Sequence, residues 1–318
     1  MYDVITIGSA TIDVFADIDP KFKQINLGDK VLIKEIEFQT GGGGINPAVA
    51  LSRMELNTAF LGKLGHDHNA FKIIHELKKE DVNVIKTAPS KKRTSYSVIV
   101  SSKKEKDRVL FTYKGASDDL RYDEIKISEL DTKWIYLATM LKRSFRTAKK
   151  IAGYAKKNNI NLLFNPSTYL AKQGKRKLKP ILDAASIIIL NKSEAGLLLK
   201  SRSNKIKTLA KGLYNLGPKI VVITEGSKGV AAYDGSEIYT LPAYNVKVKN
   251  TTGAGDAFAS GFLAGIIKNQ DIPHALKLGN ANSASVVQYF GTKNKLLTYK
   301  EATKFIKKRK ENVITRRI

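Results

Sequence analysis

Largely apolar blocks punctuate the chain: YDVITIG at 2–8, WIYLAT at 134–139, NLLFNP at 161–166, SIIILN at 186–191 and KIVVIT at 219–224. Short apolar runs bounded by polar residues read as strands covered on both faces, as in a parallel sheet. From residue 133 onward each run is followed by a helical pattern, and that alternation predicts a three-layer sheet with right-handed crossovers. Elsewhere the period is two. Val14, Ala16 and Ile18 alternate, as do Val31 and Ile33, then Tyr96, Val98 and Val100, then Val109, Phe111 and Tyr113. Such spacing predicts strands with one covered face. They fall in two blocks, residues 12-39 and 92-115, which read as a small β-sheet inserted into the N-terminal third. The remainder, 1-11, 40-91 and 116-318, reads as one large α/β domain. The fold class is therefore α/β, an α/β/α sandwich with an inserted sheet.

Near the C-terminus the period changes to four: Phe258, Phe262 and Ile266 share one face of a helix. The stretch NTTGAGDAFASGFLAG at 250–265 places a glycine turn directly before it. The first N–H groups of a helix lack partners and carry partial positive charge, so this turn forms a cup for an anion. Asp256 sits beside that cup, and two roles are open to it. It is either a helix cap, favoured by the dipole, or a general base for a hydroxyl attacking phosphorus.

The 318 residues suffice for one large domain with an appendage, and 42% hydrophobic content suffices for its core. No run is long or apolar enough for a membrane span, and no secretory signal is visible. There is no Cys, which excludes disulfides and thiolate metal sites and points to the cytoplasm. His66 and His68 flank Asp67 in a polar loop without a supporting second motif, so no metal centre is expected there. Charge is the unusual feature: 55 Lys and Arg against 29 Asp and Glu give +26. The cations are spread over many segments without a nucleic-acid motif, which reads as a solvated surface and predicts no specific nucleic acid partner.

Three further segments have the character of a ligand site. GGGGIN at 41–46 lacks the Lys-Ser/Thr ending of a phosphate loop, so its backbone and Asn46 suit a polyhydroxylated ligand. NKSE at 191–194 follows a strand and puts Asn191 and Glu194 on one helical face, fit to order waters around a phosphate-bound magnesium. TEGSKG at 224–229 follows the next strand and suits ribose and phosphates.

In this order the segments resemble the ribokinase-like (PfkB) carbohydrate kinases over essentially the whole chain. GGGGIN with the downstream LGKLGHD, and TTGAGD with its helix, resemble the two signatures of that family. The resemblance implies ATP-dependent phosphorylation of a hydroxyl on a sugar or sugar-like molecule. It implies that Asp256 is the base and that Gly253, Ala254 and Gly255 form the anion hole. Asn191 and Glu194 would organise Mg2+ through waters, with no direct protein ligand to the metal. Thr224, Gly226, Ser227, Gly229 and Asn282 would hold the nucleotide. Asp13, Gly42, Gly43 and Asn46 would hold the sugar. The inserted sheet becomes a lid, expected to pair two chains as a homodimer. Ribokinases have Lys where this chain has Gly43, and an acidic sugar contact near TML at 139–141, so ribose itself is disfavoured. Lid aromatics Phe15, Phe38, Tyr96, Phe111 and Tyr113 keep a nucleoside kinase as the alternative, with an inactive nucleic-acid-associated relative behind it. Asn250 replaces an Asp with which ribokinases hold potassium, and Lys293 and Lys295 lie nearby, so a weak cation site is expected, one that an ammonium from Lys295 could fill.

Overall fold

The computed structural model describes residues 1–105 and 107–318. Its first strands are β1 (Tyr2–Ile7), β2 (Thr11–Ile18), β3 (Ile33–Gly41), β4 (Thr58–Leu61), β5 (Asn83–Val84), β6 (Ser95–Ser102) and β7 (Asp107–Tyr113). Then follow β8 (Thr132–Ala138), β9 (Asn161–Asn165), β10 (Ile187–Asn191) and β11 (Ile220–Thr224). The last are β12 (Val230–Tyr233), β13 (Glu237–Leu241) and β14 (Ile314–Arg317).

Ten strands form one sheet in the order β14-β13-β12-β11-β10-β9-β8-β1-β4-β5. From β11 to β5 every pairing is parallel. β12, β13 and β14 extend the sheet antiparallel. Side chains alternate across this sheet and feed two separate cores. Ile5, Ile135, Phe164, Ile188 and Val221 pack with Ile151, Ile181 and Leu213 of helices Lys142–Lys157, Gly174–Leu182 and Ile206–Tyr214. Val4, Tyr136, Leu163, Ile187 and Val222 pack on the other face with Phe258, Phe262 and Leu276 of helices Ala254–Asn269 and Ile272–Val286. Runs that are apolar at successive positions thus reflect helices on both sides.

The second sheet has four strands in the order β3-β2-β6-β7. Its central strand β2 buries Ile12, Val14, Ala16 and Ile18. The edge strands are bare: β7 is exposed along its length, and β3 from Ile33 to Phe38.

Parallel packing puts the carboxyl ends of β1, β8, β9, β10 and β11 on one edge of the large sheet. The candidate functional residues collect at that edge, as the topology of open α/β sheets favours.

Candidate active site

Helix Ala254–Asn269 starts from Gly253, which has φ +82. A Cβ on Gly253 would stand 2.6 Å from the carbonyl oxygen of Thr292, so only glycine fits both the backbone angle and the contact. No side chain caps this helix, and its first amide donors remain available to an anion. Asp256 is the third helical residue. Asn46 Nδ2 donates to Asp256 Oδ2 at 2.9 Å, and Thr292 Oγ1 donates to Asn46 Oδ1 at 3.1 Å. Gly253 and not Asp256 is the N-cap, although Asp256 lies in the first turn, where the dipole favours a carboxylate.

Protein packs closely around the Asp256 carboxylate, and its pKa rises to about 6. Desolvation is the main cause; the Asn46 hydrogen bond opposes it and the negative Asp13 adds to it. Asp13, on β2, is itself buried and its pKa raised by desolvation, against hydrogen bonds from Ser97 and Thr11. Gly42 and Gly43 wrap the chain around the end of β1, with the Gly43 N–H donating to Ser9 Oγ at 3.2 Å. Helix Ile45–Arg53, which follows, buries Asn46 against Asp256. Asp256, Gly43 and Ser9 line one cavity of about 210 Å³, together with residues at the ends of β8 and β9. A second cavity, about 570 Å³, opens between the small sheet and residues 248–251; Lys103, Arg108 and Lys249 line it.

Farther along the same edge, Asn191 and Glu194 close a reciprocal cap. Asn191 Oδ1 accepts from the Glu194 N–H at 2.9 Å, and Glu194 Oε2 accepts from the Asn191 N–H at 3.1 Å. Thr168 donates to the remaining Glu194 oxygen at 3.1 Å. Burial raises the Glu194 pKa while these hydrogen bonds oppose it. Among the described residues no three acidic or histidine side chains converge as a metal cage. Thr224 ends β11 beside Asn191, its partner in the parallel ladder. Gly226, Ser227 and Gly229 form the tight turn into β12.

Two expectations fail. Asn282 does not reach a nucleotide: it is fully buried, Nδ2 donates to the Ala257 carbonyl at 3.0 Å, and Oδ1 accepts from the Leu297 N–H at 3.0 Å. Both ends of its amide serve the backbone. Lys295 is exposed beside the Tyr289 ring, and the cation at Asn250 is instead Arg108 of β7. Arg108 donates to Asn250 Oδ1 at 3.1 Å and to Thr252 Oγ1 at 2.7 Å, joining the small sheet to the anion turn. Lys293 is buried on Thr40 and Glu76. The HDH segment serves the architecture, because Asp67 caps helix His68–Lys79.

Sequence reasoning also missed Thr292 and Lys114. Both act through segments far apart in the chain, and neither belongs to a glycine-rich motif that would have flagged it.

Residues 1–298 match the family described as pfkB family carbohydrate kinase. A 5-dehydro-2-deoxygluconokinase of Clostridium botulinum (strain Alaska E43 / Type E3) is 30% identical over 331 residues, covering 98% of this chain and 94% of that protein. Two solved structures share the fold. The Arabidopsis thaliana ribokinase complexed with ribose and ATP superposes with a TM-score of 0.82 at 20% identity, covering 96% of this chain and 99% of that one. The Methanocaldococcus jannaschii nucleoside kinase gives 0.81 at 22% identity, covering 96% and 99%.

Proposed function

The chain belongs to the pfkB family of carbohydrate kinases, and from that membership we propose how it works. It transfers the γ-phosphoryl group of ATP to a hydroxyl of a sugar or sugar-like molecule, with Asp256 as general base. The observation behind this reading is the position of Asp256: held by Asn46, open to a cavity, and close to an uncapped helix start. A base near pKa 6 is ionised at neutral pH and still accepts a proton readily. The amides of Gly253, Ala254 and Gly255 meet the charge that develops on the transferring group. Asp13 accepts from sugar hydroxyls, and the backbone at Gly42 and Gly43 lets the ring approach. The turn from Thr224 to Gly229 holds ribose and phosphates, and Lys103, Arg108 and Lys249 face the phosphate side from the larger cavity. Magnesium, arriving with ATP, offsets phosphate charge; Asn191 and Glu194 hold its water shell.

The lid excludes water, which would otherwise hydrolyse ATP. Among acceptors, a sugar fits better than a nucleoside. The cavity at Asp256, about 210 Å³, is below the ~300–1,000 Å³ of drug-sized sites. None of Phe15, Phe38, Tyr96, Phe111 or Tyr113 lines it. The exposed Ile33, Ile36 and Phe38 of β3, with Leu110 and Phe111 of β7, support pairing of two lids in a homodimer. A cytoplasmic location, where ATP is available, agrees with this reading.

Coupled ADP release with magnesium and ATP, across sugars, sugar acids, sugar phosphates and nucleosides, tests the reading. One sugar-like class should raise ADP release well above the rate with ATP alone. A rise with nucleosides alone, or with nothing, would reject it.

A further inference from the structure

Lys114 follows directly on β7 and brings a positive charge to the wall of the cavity at Asp256. Its Nζ stands 5.6 Å from the centre of the Tyr169 ring, on the same wall. Among the described residues no carboxylate lies within ion-pair distance of it. The two acids near it are engaged: Asp118 with Lys142 at 3.2 Å, and Asp13 with Ser97 and Thr11 beside Lys293. Burial depresses the Lys114 pKa and these two acids compensate only partly.

A second donor on this wall is equally unserved. Ser167 Oγ is buried and has no hydrogen-bond partner, while the Ser167 N–H is fixed by Thr139 Oγ1 at 2.6 Å. Thr139, Met140 and Leu141 add no acid beside it, while Asp118, paired with Lys142, and Asp256 also line the cavity. A desolvated ammonium and an unmet hydroxyl are costly unless a ligand answers them. A neutral polyol answers the hydrogen bonds but not the charge. A carboxylate or phosphate answers both.

We propose that Lys114 and Ser167 bind an anionic group of the acceptor, a carboxylate or a phosphate, so that this chain phosphorylates anionic sugars in preference to neutral ones. The inference rests on the kinase reading above. Asp13 and Asp256 repel an anionic molecule, and Lys114 offsets that repulsion while a hydroxyl of the same molecule meets the base.

The experiment compares kcat/KM by ADP release for wild type, Lys114→Met and Lys114→Arg. The probes are gluconate and 2-keto-3-deoxygluconate as sugar acids, ribose 5-phosphate and fructose 1-phosphate as sugar phosphates, and glucose, fructose and ribose as neutral acceptors. Thermal melts check that each variant folds. The anionic-to-neutral ratio should favour one anionic set in wild type, and the set that wins identifies carboxylate or phosphate. Lys114→Met should lower that ratio by about ten-fold or more, chiefly through KM, and Lys114→Arg should keep most of it. If neutral sugars are the better substrates, or if Lys114→Met leaves the ratio unchanged, the inference falls and the kinase reading stands. If no sugar of any kind promotes ADP release, both fall.

Discussion

The role proposed for Asp256 makes two demands that pull against each other. A base must be desolvated to bind its proton well, yet it must be ionised at working pH. Burial and Asp13 raise its pKa, Asn46 restrains the rise, and the result near 6 serves both. Activity should therefore climb with pH through about 6 and level off above it, and a profile flat from pH 5 to 8 would contradict the assignment. The charged and titratable groups around Asp256 are Asp13 on β2, Tyr136 on β8, and Lys114 and Asp118 in the shared cavity. Stability has the opposite sign. A carboxyl whose folded pKa lies above its usual 3.8 loses stability as pH rises through 6. Asp256→Asn should thus melt higher than wild type at pH 8, by up to ~3 kcal/mol in stability, with the gain gone below about pH 4. An equal or lower melting temperature at pH 8 would refute this. Thr292 has a subtler part. By donating to Asn46 Oδ1 it leaves the amide N–H₂ aimed at the base. Thr292→Val keeps the shape and removes the donor, so kcat should fall by about 2- to 10-fold and Thr292→Ser should recover it. Equal kcat in the valine variant would remove Thr292 from the account.

Helix His68–Lys79 shows how an element is tied to the four-stranded sheet. Asp67 accepts from the Ala70 N–H at 3.0 Å, and also from the N–H and hydroxyl of Thr94, each at 2.7 Å. Thr94 is the residue before β6, so one carboxylate fixes both a helix start and the root of a lid strand. Burial alone would raise its pKa, but the bonds from Thr94 and Ala70 outweigh burial and lower it. That stability is present at neutral pH and is lost as pH falls below the usual carboxylate value. Asp67→Ala should cost about 1–3 kcal/mol in urea unfolding at pH 7, with the difference shrinking in acid. A cost near zero would show that Thr94 is held by other means. Elements were the level most legible in the sequence. Five apolar runs became β1, β8, β9, β10 and β11 because strands with helices on both faces need apolar residues at successive positions. The placing of Asn191 and Glu194 on one helical face was legible from spacing, because three residues apart is a local matter. Contacts across the chain were not. Asn46 and Asp256 are 210 residues apart, and Arg108 reaches a turn 142 residues away. Asn282 misled for a related reason: a position in a motif does not tell which way an amide points.

At the scale of the whole molecule, charge and shape act together. A net charge of +26 raises the local concentration of any anion, ATP included, and makes association rates fall with salt. The bare edge strands β3 and β7 expose Ile33, Ile36, Phe38, Leu110 and Phe111 on this cationic surface. Light scattering at tens of micromolar should give twice the 35.2 kDa chain mass, while Phe38→Glu combined with Phe111→Glu should give a monomer; a monomeric wild type would reject lid pairing. The central claim is that Asp256 drives phosphoryl transfer from ATP to a sugar hydroxyl. The most direct measurement follows radiolabel from the γ-phosphate of ATP into a sugar acceptor, in wild type and in Asp256→Asn, each checked for fold and ATP binding. Wild type should label the acceptor, and the variant should do so about 100- to 10,000-fold more slowly with ATP binding preserved. Label that reaches only water in wild type, or that reaches the acceptor within a few-fold of the wild-type rate in the variant, would contradict the account.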